Sequence, residues 1–542
     1  MATSSVNQDI ERFKRLINLN RPFRKHLICQ LVTGTLLIYI WYQFNGGFIP
    51  WFMKHRIPSL SLGTDINTLY YFSQSDDDGS KIKWSHGTNT IADLDKALSK
   101  MIEADVMLKG EGTDEQTLIP IMGEPRTMTS KDNEGPQLSD WLDKVTYTGS
   151  KGIKLDFQSI DAVEISLQKL KKYQSKLRFP VWLHANVLQG PHGNKPEVDK
   201  TRYFRIMKRL FPQCTKSLGW TTGTHTDLTL SGYTWDMVLD MYHLVKEWDL
   251  EPPIVYTVRA TLIRNSVPQL KWLTDNTRSS VLVWKAPEDR VMVEDLMYIA
   301  FKFAPHNSYF DLNDKNLDNF VQTNRHQSKE KINPLVLKRE SVIFKPQAWV
   351  KMGLYIEEHS ILPSEEALVL TSRAVYVLTK TKFKPSEHLT LHGRVQFLNR
   401  KNREAVFGET GLNIYVRPTA YADFENIHGI RCFLGVDGFM KVTGSNLKEK
   451  DFTKTHRITP GTGACYRFSV TDKKTDIVLR VNVVHDCHTL ESVIPHEETH
   501  AELKVPIPKD LDQEEHPFIL KLEDSKRHAI IDELHIKYDT KN

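Results

Sequence analysis

From about residue 80 to residue 312 the chain alternates short apolar runs with longer amphipathic segments. Short apolar runs suit buried strands, and amphipathic segments suit helices that cover a sheet. Strands joined through helices pair in parallel, and eight of them are enough to close a barrel. The pattern therefore predicts an α/β fold, a (β/α)8 barrel of the TIM type, over residues 81–312.

The boundaries of the predicted elements follow from where apolar runs begin and end. One additional run, Leu118–Met122, is interpreted as a hairpin excursion after the second strand. The predicted strands are Ile82–Ser85, Ala104–Leu108, Gly152–Phe157, Val181–Ala185, Ser217–Thr221, Ile254–Arg259, Val281–Trp284 and Tyr309–Leu312. The predicted helices are Ile91–Ile102, Leu138–Val145, Ser159–Tyr173, Lys200–Phe211, Trp235–Trp248 and Val291–Phe303.

Polar side chains stand on the predicted strands near their carboxyl ends, where the active site of a parallel barrel lies. Glu103 and Asp105 share one face of the second strand, because side chains alternate along a strand. Lys154 and Asp156 likewise share one face of the third predicted strand. Charged groups in apolar strands are costly unless they are paired or bind a metal, so a polar site is predicted, with a salt bridge at the barrel mouth as the alternative for any one residue. Further candidates at the strand ends are His86, His184, Trp220, Arg259 and Lys285.

The N-terminal part contains a long stretch without charged residues, 27–53. It is long enough to cross a bilayer, and no small-residue cleavage site follows it. Lysines and arginines are more frequent before it than after it, which places the N-terminus in the cytosol. We therefore predict a cytosolic basic tail (1–26), a transmembrane anchor (27–53) and a stem (54–80). The protein is then expected to be a single-pass type II membrane protein whose bulk is extracellular or luminal.

The net charge is only +5 over 542 residues, and both signs are interspersed along the chain. A large basic surface is therefore not expected, and a nucleic-acid partner is excluded. Of the five cysteines, Cys432, Cys465 and Cys487 lie in the last quarter of the chain and are placed to supply one disulfide. Cys214 instead suits a buried core position.

After residue 312 the sequence turns polar, which predicts a linker over 313–340. The following runs are short, often alternating and separated by turn residues. This pattern predicts an all-β, sandwich-like domain over 341–542. The predicted strands include Ala374–Leu378, Leu391–Leu398, Leu412–Val416, Tyr466–Val470, Ile477–Val484, Ala501–Val505, Phe518–Leu522 and Leu534–Tyr538.

One motif in this second half, His496-Glu497-Glu498-Thr499-His500, matches the zinc-protease pattern. That pattern requires both histidines on one face of a long helix. Pro495 and Pro506 confine the segment, and Ala501–Val505 has the composition of a strand. The motif is therefore interpreted as a solvated, histidine-rich loop, with an adventitious metal site as the alternative.

Six blocks of the sequence resemble the conserved blocks of the menorin domain, in order, over about 230 residues. The menorin domain is in turn similar to phospholipase C-like phosphodiesterase barrels, which include glycerophosphodiester phosphodiesterases and sphingomyelinase D. The blocks are His86-Gly87-x-Asn89, Glu103-Ala104-Asp105-Val106, Pro120-Ile121-Met122, Gly152-Ile153-Lys154-Leu155-Asp156-Phe157, Pro180-Val181-Trp182 and Ser217-Leu218-Gly219-Trp220-Thr221-Thr222.

The resemblance implies roles for the matching residues. The phosphodiesterases carry a catalytic histidine after the first strand, Glu-x-Asp metal ligands after the second and another acidic ligand further on. Carried over, His86 is the general acid/base and Lys154 contacts phosphate. The implied ligands are Glu103, Asp105 and Asp156, and three oxygen ligands suit Mg2+ or Ca2+.

Arg259 is expected to join Lys154 in neutralising the charge that develops on the phosphate.

The sequence departs from the related phosphodiesterases at two points. The related barrels place a second histidine before a proline after the hairpin strand, but this chain has Glu124 there. A two-histidine mechanism then requires His184 as a substitute. The order of Lys154 and Asp156 is also reversed relative to the enzymes.

Two functions remain open at this point. The resemblance implies a membrane-anchored extracellular recognition or patterning factor with a degenerate or weak active site, acting with a cell-surface protein partner. The alternative is an active metal-dependent phosphodiesterase on glycerophosphodiesters or lysophospholipids, since a phospholipid-like substrate suits a barrel tethered beside a bilayer.

Overall fold

The computed structural model of the 542-residue chain describes residues 67–73, 78–97, 100–123, 135–147, 151–194, 196, 198–223, 232–263, 265–324, 349–353, 367–370, 375–399, 410–421, 427–444, 453–460, 464–484, 500–507, 513–523 and 527–538. The predicted tail, the predicted transmembrane anchor and Glu124 lie outside these residues. No helix in the described ranges is long and apolar enough to cross a membrane.

A nearly closed parallel barrel forms the first half of the described chain. Its strands run in the order β1-β2-β4-β5-β6-β7-β8-β9, and β3 pairs with β2 in antiparallel fashion, as the hairpin interpretation requires. Among the described residues no ladder joins β9 to β1, although the two strands are neighbours. The strands are β1 (Trp84–Ser85), β2 (Met101–Leu108), β3 (Pro120–Met122), β4 (Gly152–Phe157), β5 (Val181–Gln189), β6 (Thr215–Thr221), β7 (Ile254–Arg259), β8 (Ser280–Trp284) and β9 (Ser308–Asp311).

Helices connect the strands and cover the barrel. The predicted helix Ile91–Ile102 is too long: it ends at Lys96, because Met101 and Ile102 pair with β1 as the start of β2. Helix α7 was not predicted, because its buried residues include polar side chains and leave no clean apolar stripe. The helices are α1 (Thr68–Ser73), α2 (Ile91–Lys96), α3 (Leu138–Tyr147), α4 (Ile160–Lys172), α5 (Lys200–Leu210), α6 (Trp235–Glu247), α7 (Val267–Thr277), α8 (Val293–Lys302) and α9 (Lys315–Asn324).

Several helices begin where a short polar residue precedes them. The side chains of Thr90, Ser159, Asp199 and Thr234 each accept a hydrogen bond from the backbone N–H three residues later. Each bond satisfies a donor that the first turn of a helix leaves unpaired. These caps fix the point at which the chain leaves a strand-end loop, and therefore fix the length of the loops around the barrel mouth.

The amino-terminal end of the barrel is filled from inside by α1. Trp182 Nε1 donates to Thr68 Oγ1 at 2.8 Å, and Leu69 packs with Trp182, Leu282 and Tyr309. Side chains therefore fill this end of the barrel, and the polar groups converge at the opposite end, where the strands terminate.

The second half of the described chain consists of two antiparallel sheets, whose orders are β10-β12-β21-β14-β15-β16-β17 and β11-β22-β13-β18-β19-β20. Both sheets contribute to one hydrophobic core. Strands β10, β11 and β15 to β17 were not predicted. The strands are β10 (Trp349–Gly353), β11 (Leu368–Leu370), β12 (Val375–Thr379), β13 (Thr390–Asn399), β14 (Gly411–Ala420), β15 (His428–Gly435), β16 (Phe439–Gly444), β17 (Thr453–Arg457), β18 (Cys465–Asp472), β19 (Asp476–Val483), β20 (His500–Pro506), β21 (Ile519–Leu522) and β22 (Arg527–Lys537).

Within the zinc-protease motif, only His500 is among the described residues, and it begins strand β20. A strand cannot supply the helical spacing that the motif needs, so the zinc-protease interpretation does not apply. Cys465 is disulfide-bonded, whereas Cys214 and Cys432 are buried free thiols.

The six-stranded sheet packs against the barrel. Val369, Leu398 and Ile530 belong to the same hydrophobic cluster as the barrel core. At this contact His243 Nε2, on α6, lies 3.3 Å from His528 Nε2, on β22. The barrel and the sheets therefore share a continuous buried interface.

Candidate active site

Three carboxylates meet at the carboxyl ends of β2 and β4. Strand register brings them together, since Asp105 is paired directly with Asp156 and Glu103 with Lys154. One oxygen from each of Glu103, Asp105 and Asp156 lies within 4.8 Å of the others. The three acids that the sequence singled out thus form one cluster, and their mutual distances are those of groups that share a metal ion.

His86 lies at the end of β1, held between two carboxylates. Its Nδ1 is 2.9 Å from Asp311 Oδ2 and 3.3 Å from Glu103 Oε2. The charges of Glu103 and Asp311 outweigh burial and raise the pKa of His86 from 6.5 to about 10. The imidazole is therefore protonated at neutral pH, and it is a proton donor rather than a base in this state.

The pair of His86 and Asp311 also closes the barrel. Asp311 is the last residue of β9, and β9 and β1 have no ladder between them in the described chain. The side-chain contact spans the position where backbone hydrogen bonds are missing. Asp311 therefore both links β9 to the end of β1 and belongs to the polar cluster.

Lys154 lies inside the acidic cluster. Its Nζ is 3.7 Å from Glu103 Oε1 and 3.6 Å from Asp156 Oδ2, and its side chain is 3% exposed. Burial lowers the pKa of Lys154, but the charges of Glu103 and Asp156 outweigh it and raise that pKa. Burial alone would raise the pKa of Glu103, yet His86 and Lys154 lower it to about 2. Both groups are therefore charged at neutral pH.

Asp105 is held by two side-chain amides. Asn89 Nδ2 donates to its Oδ2 at 3.0 Å, and Gln158 Nε2 donates to its Oδ1 at 2.7 Å. Asn89 Oδ1 also accepts from the backbone N–H of Asp105 at 2.8 Å. These bonds fix the orientation of the carboxylate before any ligand arrives, because rotation would break them.

His184 is fully buried on β5. Its Nδ1 is 2.9 Å from Ser217 Oγ, which is 3.0 Å from Thr257 Oγ1, and its Nε2 is 3.7 Å from Asp156 Oδ2. Burial, together with the charge of Lys154, lowers the pKa of His184 well below 6.5. The imidazole is therefore neutral. A Cβ at Gly219 would lie 2.9 Å from His184 Cε1, so glycine makes room for this ring.

Arg259 is bound away from the acidic cluster. Its Nε and Nη2 donate to Asp289 at 2.9 and 2.6 Å, and its Nη1 donates to the backbone carbonyl of Gly223 at 2.7 Å. Its guanidinium lies 5.6 Å from the centre of the Trp284 ring, and that ring stacks on His86 with 6.5 Å between centres. Arg259 thus supports the Trp284 ring beside His86.

The other two residues from the strand ends are not part of the cluster. Trp220 is buried in the core, with its ring 5.0 Å from that of Tyr233. Lys285 Nζ donates to the carbonyl oxygen of Ala286 at 3.2 Å. The structure therefore brings together His86, Glu103, Asp105, Lys154, Asp156 and His184, and it leaves Trp220 and Lys285 outside.

The residues present suit a hard metal ion. Buried Asp156 Oδ1 and Asp311 Oδ1 have no hydrogen-bond partner among the described residues. Four carboxylates face two cationic side chains, so the cluster retains negative charge that a divalent cation would balance. Carboxylate oxygens are the ligands that such cations prefer. The acidic cluster can therefore hold a metal ion.

Asp311, Gln158 and Asp289 were not singled out from the sequence. Asp311 could have been predicted from the sequence, because it stands near the carboxyl end of the last predicted strand. The other candidate residues were chosen by the same criterion. Gln158 and Asp289 lie in loops, where only the folded chain shows which side chain they contact.

Known sequences and structures resemble both halves of the chain. The menorin N-terminal domain matches residues 78–317, and the menorin C-terminal domain matches residues 363–536. Protein FAM151B of Homo sapiens is 38% identical over 254 residues, which cover 45% of this chain and 89% of the human protein.

Two solved structures are similar to one half each. A glycerophosphodiester phosphodiesterase from Parabacteroides distasonis has 12% identity and a TM-score of 0.28, over 46% of this chain and 98% of that chain. A carbohydrate-binding module, CBM66 from Bacillus subtilis, has 8% identity and a TM-score of 0.24, over 35% of this chain and 96% of that chain.

The described chain is thus an α/β barrel protein with an acidic cluster at the barrel mouth and an all-β second half. The extent of the two domain matches and the identity to the human relative assign it further: the chain belongs to the menorin family.

Proposed function

We propose that the barrel mouth is the active site of a metal-dependent phosphodiesterase that acts on glycerophosphodiesters or lysophospholipids. The observation that carries the proposal is the convergence of Glu103, Asp105 and Asp156 within 4.8 Å, with His86 in contact with Glu103. A cation and a protonated imidazole at one place suit a reaction that develops negative charge on phosphate and on a leaving oxygen.

Glu103, Asp105 and Asp156 would hold the cation, Mg2+ or Ca2+, and when bound it would polarise a phosphoryl oxygen. His86, charged and backed by Asp311, donates a proton to the leaving oxygen. Its ring is stacked on Trp284, which in turn is in contact with Arg259.

Lys154 and His184 complete the proposed machinery. The ammonium of Lys154 binds phosphate oxygens. His184 is neutral and therefore able to accept the proton of the water molecule that attacks phosphorus, which makes it the candidate for the second histidine. Its hydrogen bond to Ser217 fixes Nδ1 and leaves Nε2 on the side of Asp156.

A second candidate function is recognition without turnover, as an extracellular patterning factor with a cell-surface protein partner. The observation that favours it is the position of Lys154, whose ammonium already lies between Glu103 and Asp156. The second half of the chain, as a β-sandwich, would then provide a partner-binding surface. In this case the barrel binds a phospholipid-like ligand without converting it.

We further propose that residues 27–53 anchor the protein in a membrane and that the barrel is extracellular or luminal. The apolar length of that segment and the disulfide at Cys465, a bond of oxidising compartments, support this location. Protection of the C-terminus from protease in sealed microsomes is the expected result, and digestion without detergent would overturn it.

Turnover is tested with the purified full-length chain on a glycerophosphodiester and a lysophospholipid, in Mg2+, in Ca2+ and in a chelator. We expect cation-dependent release of the headgroup, and a loss of at least about a hundredfold in His86→Gln, because a positioned proton donor contributes that much. His306→Gln is the matched control. His306 is exposed and precedes β9 at the opposite end of the barrel.

Equal rates for wild type and His86→Gln would contradict the catalytic role of His86. No turnover by any form, combined with cation-dependent binding of the lysophospholipid, would instead favour the recognition function.

A further inference from the structure

Lys154 lies at the electrostatic centre of the acidic cluster. Its Nζ lies at nearly equal distances, 3.7 and 3.6 Å, from Glu103 and Asp156. The charges of Asp311 and Asp105 act on it as well. The charges of all four carboxylates of the site described above therefore act on the ammonium.

These distances are long for hydrogen bonds, which lie near 2.9 Å for an ammonium and a carboxylate. The ammonium is thus held mainly by the combined field of the carboxylates. An ammonium at these distances can shift on its flexible stem without breaking a well-aligned bond to either carboxylate.

A divalent cation bound by Glu103 and Asp156 would need the oxygens that now face Lys154. A single positive charge and a divalent cation a few ångströms apart in a buried site repel each other strongly, because water screens them little. The ammonium and the cation therefore cannot both occupy the centre of the cluster.

We propose that Lys154 is an internal counter-cation that competes with the divalent cation for the acidic cluster. In the absence of the cation, Lys154 balances part of the negative charge. When the cation binds, the ammonium moves out of the cluster toward the phosphate of the substrate. This inference rests on the proposed function, and it adds that cation binding and the phosphate-binding position of Lys154 are coupled.

The test is calorimetric titration of the full-length protein with MgCl2 and with CaCl2, in wild type, Lys154→Met and Lys151→Met. We expect Lys154→Met to bind the cation at least about tenfold more tightly than wild type, since the competing charge is gone and methionine fills a similar volume. Lys151→Met is the matched control, because Lys151 is also buried but precedes β4, at the opposite end of the barrel.

The second readout is the melting temperature. In a chelator we expect Lys154→Met to melt below wild type, because four carboxylates then face only His86. A saturating concentration of the cation should restore the melting temperature of Lys154→Met to that of wild type. If Lys154→Met does not fold, the double variant Lys154→Met/Asp156→Asn is titrated instead, because it has one carboxylate fewer to balance. We expect this variant to bind the cation more tightly than Asp156→Asn alone, and equal affinity in the two would overturn the competition.

Equal cation affinity in wild type and Lys154→Met would overturn the competition and leave the proposed function standing. Absence of cation binding in every form would overturn both. Binding by Lys154→Met but not by wild type would support the competition in its strongest form, and would overturn the cation dependence of the proposed function.

Discussion

Asp156 is the residue of the site whose charge depends most on pH near neutrality. Burial raises its pKa from 3.8 to about 6, although Lys154 acts in the opposite direction. The folded protein thus holds this proton more tightly than the unfolded chain does. The stabilisation from that proton is complete below about pH 4 and is lost as the pH rises through 6.

We therefore expect Asp156→Asn to gain stability relative to wild type as the pH rises from about 4 to about 7, measured in a chelator by urea denaturation. The asparagine is neutral throughout, so it does not suffer the loss that wild type does. Asp275→Asn is the control, since Asp275 forms an ion pair with Lys271 on α7. A constant difference between Asp156→Asn and wild type across this range would contradict the raised pKa.

Among the elements, the turn after β1 holds two of the carboxylates that strand register brings together. The N–H of Gly87 donates to Glu103 Oε2 at 2.7 Å, and that of Thr88 to the Glu103 carbonyl oxygen at 2.8 Å. Asn89 holds Asp105. Gly87 has φ +60°, a conformation that glycine adopts without strain. The short motif His86-Gly87-x-Asn89 therefore positions two of the three acids.

We expect Asn89→Ala to weaken cation binding about tenfold to a hundredfold, the usual effect of removing a group that orients a metal ligand. Calorimetric titration measures the affinity, and a circular dichroism melt checks that the variant is folded. Asn319→Ala, on the exposed side of α9, serves as the control. Unchanged affinity in folded Asn89→Ala would show that Asp105 is not a ligand or needs no support.

The elements also show what the sequence can predict. Gly152–Phe157 and Ile254–Arg259 are strands with the predicted bounds, because continuous apolar runs between turn residues define buried strands well. The candidate residues were found through position alone, as residues at strand ends. Their partners were not, since the contact of Asp311 with His86 depends on barrel closure, which joins positions 225 residues apart.

In the second half, β15 and β16 were missed for a different reason. In β15, residues of both faces are buried or partly buried, so the alternation of apolar and polar side chains is weak, and the alternating strand β16 spans only six residues. Which face is buried is decided by packing against other strands, and packing is a property of the folded chain rather than of a short segment.

At the scale of the whole molecule, β22 is one of three strands of the described second half that pack in the barrel cluster, and it has two apolar faces. On β22, Ile530 packs in the barrel cluster, and the next residue, Ile531, packs in the core between the two sheets. Side chains alternate along a strand, so neighbouring residues stabilise different cores. The barrel and the sheets are therefore expected to unfold together.

We expect Ile530→Ala to cost about 2–5 kcal/mol, the usual cost of truncating a buried isoleucine, and to separate one calorimetric transition into two. Ile531→Ala is the matched control, because it should lower the stability of the sheets by a similar amount while leaving the contact with the barrel intact. A single transition in Ile530→Ala at the wild-type temperature would show that the contact contributes little.

Strand β22, which helps to cover the barrel, is also the last strand in chain order among the described residues. During synthesis, every barrel strand leaves the ribosome long before Ile530 does. Until then the apolar residues of the barrel that β22 later covers face solvent, and exposed patches of this kind invite non-native association. A nearly complete barrel therefore exposes this apolar surface to solvent until β22 docks.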